Sequence, residues 1–130
     1  MGERYVIPLQ NSLIAAAVAV LVWILPAAAH HSHGNYVLEE YTHLEGTVRE
    51  VHWINPHTWI YLEVAGENGE GTLWALEGGG IAAITNRGWM REDVVAGDAI
   101  TVRCHQLRDR SKGCLLGYVT PEGGEEKEWD

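Results

Sequence analysis

Three histidines near the amino terminus are the residues best suited to metal chemistry. His30, His31 and His33 fall within four consecutive positions, and neutral imidazole is a good ligand for copper, zinc and nickel. Cleavage after Ala29 would place His30 first, where its amine and ring could both chelate; cleavage one residue earlier would place His31 third, where amine, amides and imidazole can surround Cu(II). The cluster therefore predicts copper or zinc capture. A solvated segment without metal is the alternative.

A second group of candidate residues surrounds the sequence Asn55-Pro56-His57-Thr58-Trp59. In the predicted strand that follows, Ile60 and Leu62 face inward, so the aromatic residues beside them face outward. The corresponding face of OB-type barrels often holds ligands, and aromatic rings there can stack on a ring or grip a partner. The predicted ligand- or partner-binding residues are Asn55, His57, Trp59, Tyr61, Trp53, Trp74 and Glu77.

The same segment also admits a structural interpretation. Asn before Pro forms turns, and tryptophan in a small barrel commonly fills one end of the core. His52 and His57 bracket this turn and could converge with Glu77, but a zinc site normally needs three or four ligands. Both interpretations of the turn therefore stay open.

Catalysis is the less favoured hypothesis. The two serines of the chain beyond the leader, Ser32 and Ser111, fall in predicted mobile segments, and neither a Gly-x-Ser-x-Gly motif nor a phosphate-binding loop is present. The remaining enzymatic option uses His57 as base and Glu77 as the group that orients it. The sequence therefore favours a non-catalytic protein.

Charge and the first 29 residues constrain location and partners. The formal net charge is −9, which repels phosphate backbones and argues against nucleic-acid binding. Residues 1–29 contain one arginine, an apolar run over 13–25, and Pro26 before small alanines, which is typical of a cleavable secretory signal. We expect a periplasmic protein. An uncleaved helix that anchors the chain in the inner membrane is the alternative, and the only case that brings a membrane contact.

Short apolar runs of period two alternate with turn signals and predict a mainly β domain. A change of parity near Arg49 and Glu50 predicts a bulge in the first strand. The expected fold is a small five- to six-stranded OB-like barrel with one short helix, preceded by the signal-peptide helix. The predicted strands are 44–53, 58–64, 72–76, 99–107 and 114–120, and the predicted helix is 81–86.

The domain boundaries follow from these runs. We expect a signal peptide over 1–29, a flexible histidine-containing segment over 30–40, the barrel over 41–121, and a disordered acidic tail over 122–130. Cys104 and Cys114 flank a polar loop between the last two strands, so an exported chain would form a disulfide across that hairpin. Two unpaired buried thiols are the alternative.

The chain resembles a family of small exported bacterial proteins that carry a domain of unknown function. The resemblance rests on Ala29-His30-His31-Ser32 and on Asn55-Pro56-His57-Thr58-Trp59, and it covers residues 29 to about 123. It implies export and a compact β-barrel, and the family brings no established activity. His33 stands where relatives tend to have an aromatic residue, and the cysteine pair lies outside the family pattern.

The sequence therefore predicts a periplasmic binding or accessory protein whose partner is another protein or a small ligand, with no certain cofactor. A dedicated copper- or zinc-binding protein that uses His30, His31 and His33 is the alternative function. An enzyme is the third hypothesis.

Overall fold

The computed structural model describes Gly2 and residues 33–130, so the rest of the predicted leader, its cleavage site, His30 and His31 lie outside the described residues. Residues 35–130 form one compact unit. No helix in the described part of the chain is long and apolar enough to cross a membrane. The elements are a 3-10 turn over His33–Asn35, β1 (Thr42–His52), β2 (Trp59–Ala65), β3 (Gly71–Glu77), α1 (Ile81–Asn86), β4 (Ala99–Gln106), β5 (Gly113–Pro121) and β6 (Lys127–Glu128).

Five of these strands close into a barrel. β1 pairs antiparallel with both β2 and β4, β2 continues to β3, and β4 continues to β5. A parallel pairing between β3 and β5 closes the barrel, and β6 adds an outer strand beside β5. The predicted OB-like barrel with one short helix is therefore confirmed for the described residues.

β1 can serve two neighbours because it bends. Its first half pairs with β4 and its second half with β2, and the register shifts between Val48 and Glu50, where the sequence predicted a bulge. Gly46 lies at the bend, and a Cβ there would overlap the carbonyl oxygen of Glu63. The absence of a side chain at Gly46 thus lets the strands approach closely enough to form the barrel.

The core contains the residues that the period-two pattern assigned to it. Ile60 and Leu62 of β2 and Leu76 of β3 are fully buried, and Ile100, Val102 and Cys104 of β4 alternate with more exposed neighbours. Burial of each such side chain contributes about 1.5 to 3 kcal/mol. The inward orientation of β2 fixes which residues reach the outer surface.

The two cysteines form the predicted bridge. The sulfurs of Cys104 and Cys114 are at bonding distance, their Cα atoms are 5.6 Å apart, and both residues are fully buried. They flank the turn between β4 and β5. By the chain-entropy model a loop of this length adds about 2 to 3 kcal/mol of stability.

The prediction of a disordered tail over 122–130 is wrong. β6 pairs with β5, and Trp129 is completely buried against Trp89, with ring centroids 4.6 Å apart. The indole Nε1 of Trp129 donates a hydrogen bond to Thr58 Oγ1 at 3.1 Å. Acidic composition suggested disorder, but one large indole placed in the core outweighs the polarity of its neighbours. The tail therefore belongs to the barrel domain.

Replacement of Trp129 by alanine tests this packing. We expect Trp129→Ala to lower the free energy of unfolding by about 3 to 5 kcal/mol, the usual cost of removing a buried tryptophan. Urea unfolding measures the change, and Glu125→Ala in the exposed part of the same tail is the control, with an expected change within about 0.5 kcal/mol. A Trp129→Ala protein as stable as the control would show that the tail does not pack.

Candidate functional site

The candidate site lies on one outer surface of the sheet. Cross-strand register places Glu50 opposite Tyr61, His52 opposite Trp59, and Trp59 opposite Glu77. Because side chains alternate along a strand, these residues point away from the core that Ile60 and Leu62 fill. We call this surface, made of Glu50, His52, Trp59, Tyr61 and Glu77 with His57 beside it, the outer face.

His57 and Glu77 meet, as the sequence suggested. His57 Nδ1 lies 3.2 Å from Glu77 Oε1, and the Glu77 side chain is only 13% exposed. The other carboxylate oxygen, Oε2, accepts a hydrogen bond from the Tyr36 hydroxyl at 2.5 Å. A single carboxylate at the end of β3 thus contacts a buried phenol on one side and a partly exposed imidazole on the other.

Tyr36 is held in place by the segment that precedes β1. It forms a β-bridge with Leu107, the Val37 amide donates to the Gln106 carbonyl, and the Arg108 amide donates to the Asn35 carbonyl. Tyr36 is 6% exposed, so the expectation of a flexible segment over 30–40 is wrong from residue 35 onward. Burial raises the pKa of Tyr36 well above its usual value, and the hydrogen bond and charge of Glu77 raise it further. The phenol is therefore a neutral donor at ordinary pH.

This arrangement selects one nitrogen of His57. When the ring is neutral, a carboxylate beside Nδ1 places the proton on Nδ1 and the lone pair on Nε2. Nε2 makes no hydrogen bond with any residue of 33–130, and the side chain is 38% exposed. Carboxylate-oriented imidazoles of this kind serve as hydrogen-bond acceptors, metal ligands or bases.

His52 does not converge with His57 and Glu77. Its Nε2 lies 2.8 Å from Glu50 Oε2, and its ring meets the Tyr61 ring edge-on at 5.0 Å. Within residues 33–130 no group of three or more His, Cys, Asp or Glu side chains is arranged to hold a metal ion. Of the two histidines, only His57 lies beside Glu77.

Asn55 and Thr58 have structural tasks. Asn55 Oδ1 accepts a hydrogen bond from the Ile81 amide at 3.0 Å and so caps the start of α1. Thr58 is fully buried, and its hydroxyl and amide both donate to the Gly79 carbonyl, at 2.7 and 3.1 Å. The structural interpretation of the turn therefore holds for Asn55 and Thr58. The neighbouring residues His57 and Trp59 are partly exposed on the surface.

Trp74 and Trp53 do not join the outer face. Trp74 pairs with Leu62 and is 6% exposed, because it shares the inward parity of Leu76. The prediction that placed Trp74 outside is wrong. Trp53 follows the end of β1 and packs against the core and edge-on against Trp129, and its Nε1 is buried without a partner among the described residues.

The glycines after β3 are explained by packing. A Cβ at Gly78 would overlap the Trp129 ring and lie 2.9 Å from Thr58 Oγ1, and a Cβ at Gly80 would lie 2.9 Å from the Pro56 carbonyl oxygen. A side chain at either position would displace these neighbours.

Of the predicted metal cluster, only His33 is described, and it is exposed in the 3-10 turn. Sequence reasoning missed Tyr36, Thr58 and Trp129. Tyr36 and Trp129 could have been found as the isolated aromatic residues of two polar terminal segments, and the glycine at position 78 leaves room for the Trp129 ring.

Comparison with known proteins places the chain in an uncharacterised group. The model of a protein family, described as Family of unknown function (DUF6152), matches residues 17–116. Neither the curated proteins nor the solved structures contain a significant match. The match therefore brings no activity with it.

The Tyr36 hydroxyl can be tested by its dependence on pH. We expect Tyr36→Phe to lower stability at pH 7 by about 1.5 to 3 kcal/mol, as for a lost hydrogen bond to a charged group. The pKa of Tyr36 is raised in the fold, so above about pH 10 the unfolded chain ionises first and the wild-type protein loses stability. The difference between the two proteins should therefore shrink as pH rises past 10.

Urea unfolding at pH 7, 9 and 11 measures this difference. Tyr61→Phe is the matched control, because the Tyr61 hydroxyl makes no hydrogen bond within residues 33–130, and its stability should follow the wild type within about 0.5 kcal/mol. Identical behaviour of both variants at pH 7 would mean that the Tyr36–Glu77 bond contributes nothing.

Proposed function

The chain belongs to the Family of unknown function (DUF6152), and we propose that it is an exported, periplasmic binding or accessory module that contacts its partner through the outer face around His57. The family description names no activity, so the proposal depends on the residues of the site. An exported location agrees with the secretory pattern of residues 1–29 and with two buried cysteines at disulfide distance, which suit an oxidising compartment. Retention of the leader as an inner-membrane anchor is the alternative.

The orientation of His57 is the observation that carries the proposal. Glu77 is largely buried and contacts neither arginine nor lysine; its partners are the Tyr36 hydroxyl and the His57 ring. Burial of a carboxylate is costly unless specific partners compensate for lost water. Glu77, itself bonded to Tyr36, thus lies beside an imidazole that is 38% exposed. An apolar core does not by itself require this arrangement of polar groups.

Binding agrees better with the surroundings of this imidazole than catalysis does. His57 lies beside partly buried aromatic residues on an open sheet surface. In the described part of the chain the two cysteines are joined to each other, and the Ser111 hydroxyl is bonded to Asp109. The groups that remain around His57 are suited to hold a partner by stacking and hydrogen bonds.

Replacement of His57 tests the binding role. Because the side chain is 38% exposed, we expect His57→Ala to change the free energy of unfolding by less than about 1 kcal/mol. The variant should nevertheless lose most capture of a partner from a periplasmic extract by the immobilised mature protein, read by crosslinking and mass spectrometry. A large fall in melting temperature would instead make His57 a structural residue.

His52→Ala is the matched control. It removes an imidazole of similar exposure, 43%, from the same surface, where it contacts Glu50 and not Glu77. We expect it to keep the partner that the wild type captures. Equal capture by wild type, His57→Ala and His52→Ala would exclude a binding surface centred on His57.

Metal capture by the amino-terminal histidines is the second candidate function, favoured by three histidines within four residues, of which His33 is exposed. We expect the mature protein to begin at His30, as measured by its intact mass, and to bind Cu(II) more tightly than a variant without residues 30–33. Calorimetric titration measures the affinities. Equal affinity of the two proteins would exclude the cluster as the metal site, and an unprocessed mass in the membrane fraction would favour the anchored form.

A further inference from the structure

In the described part of this acidic chain, four cations lie over five aromatic rings, and none of these rings belongs to the outer face. Arg103 lies over Tyr41 and Tyr118, with its Cζ atom 5.0 and 4.1 Å from the ring centroids. Arg91, Lys112 and Lys127 lie over the rings of three tryptophans, at 5.2, 4.9 and 4.8 Å; these are Trp53, Trp74 and Trp89. A cation over an aromatic face is attracted by the negative potential of the ring.

The outer face carries the rings of Trp59 and Tyr61. Among the tryptophans and tyrosines of residues 33–130, Trp129 is enclosed by the core and Tyr36 is buried and bonded to Glu77. Trp59 and Tyr61 lie two residues apart on β2, both partly exposed, and no cation of the described chain lies over either ring. The outer face thus holds two neighbouring rings with no cation over them, unlike the five rings described above.

No cation of the described chain is available to fill this place. The remaining arginines are engaged in ion pairs elsewhere: Arg49 with Glu63, Arg87 with Glu128, Arg108 with Glu39 and Arg110 with Glu40. Arg103 also pairs with Glu126. A cation for Trp59 and Tyr61 must therefore come from outside the described residues.

Apart from His52, whose ring meets Tyr61 edge-on and whose Nε2 contacts Glu50, the other groups of the outer face accept hydrogen bonds or carry negative charge. Glu50 is opposite Tyr61 and 66% exposed, Glu77 is opposite Trp59, and Nε2 of His57 presents a lone pair. Ala75 is the small residue opposite Tyr61 on β3, so the ring has no bulky neighbour on that side. An anion would meet like charge here, whereas a planar cation that donates several hydrogen bonds would find π faces, carboxylates and an acceptor together.

We propose that the outer face binds an arginine side chain carried by a basic segment of a partner protein, with the guanidinium stacked on Trp59 and Tyr61 and its N–H groups donating to Glu50 and His57. This inference rests on the proposed function and names the chemistry of the partner. Arginine fits better than lysine because its planar fork both stacks on rings and donates several hydrogen bonds. The net charge of −9 would attract such a segment and orient its approach.

A metal ion is the competing cationic ligand, and the geometry argues against it. Within residues 33–130 no three potential ligands are grouped around a common point, whereas stable zinc sites use three or four. The experiment therefore includes Zn(II) as a separate probe.

The test is a titration of the isotope-labelled mature protein with synthetic peptides, followed by amide and indole NMR signals at low salt. The probes are a hexapeptide in which three arginines alternate with glycine, and the same peptide with citrulline, which keeps the shape of arginine but lacks its charge. We expect the arginine peptide to shift the signals of Trp59, Tyr61 and His57, and the citrulline peptide to leave them in place. Equal shifts with both peptides would overturn the proposal.

Three variants, one of them a control, localise the effect. Trp59→Leu should weaken binding of the arginine peptide by about threefold to tenfold, the range expected for one lost cation–π contact. Glu50→Gln should also weaken it, whereas Glu45→Gln, which removes the same charge from an exposed position of β1 that pairs with β4, should leave it unchanged. Equal weakening by both charge variants would show general attraction to an acidic surface and would contradict a site on the outer face.

The outcomes separate this inference from the proposed function. If the partner is captured only when His57 is present but the arginine peptide does not bind, the result supports the proposed binding function and contradicts the arginine inference. If His57→Ala captures as well as the wild type while the peptide still shifts Trp59, the arginine site stands without His57. Shifts of the same signals by Zn(II) without any by the arginine peptide would make the outer face a metal surface and overturn the inference.

Discussion

The buried hydroxyl of Thr58 is the point on which the site depends. It donates a hydrogen bond to the Gly79 carbonyl and accepts one from the indole of Trp129, so it joins the β1–β2 turn, the loop after β3 and the end of the chain. The backbone of Thr58 adds two further bonds, to Gly78 and Gly79. Because Thr58 is flanked by His57 and Trp59, these bonds determine where both side chains emerge and bring His57 next to Glu77.

The two ends of the described chain complete the site from opposite sides. Trp129 fills the interior beneath the loop, and Tyr36 packs on the outside and bonds the carboxylate that faces His57. Neither residue lies in the five strands of the barrel. The barrel alone would therefore leave Thr58 Oγ1 without its indole donor and Glu77 without its phenol. A small domain with few elements obtains a rigid polar site in this way, since each buried polar group has a defined partner.

Positive charge is distributed unevenly over the surface of this acidic protein. Its positive side chains lie over aromatic rings or beside carboxylates on several surfaces, and they are absent from the rings of the outer face among the described residues. The surface around Trp59 and Tyr61 is thus both apolar and rich in acceptors. Such a combination favours a partner that brings its own positive charge, because Coulomb attraction is stronger beside partly buried, low-dielectric rings than in water.

The barrel could be predicted from the amino-acid sequence, because alternation of apolar residues, a parity change near Arg49 and turn signals are local properties of a strand. The spacing of Cys104 and Cys114 favoured a disulfide across one hairpin, which the structure contains, and the turn at His57 allowed that side chain to lie near Glu77. Three other features could be seen only in the folded chain. The orientation of Trp74, the burial of Trp129 and the bond from Tyr36 depend on which distant segments meet, and composition misleads there since one long-range contact can order a segment that looks disordered.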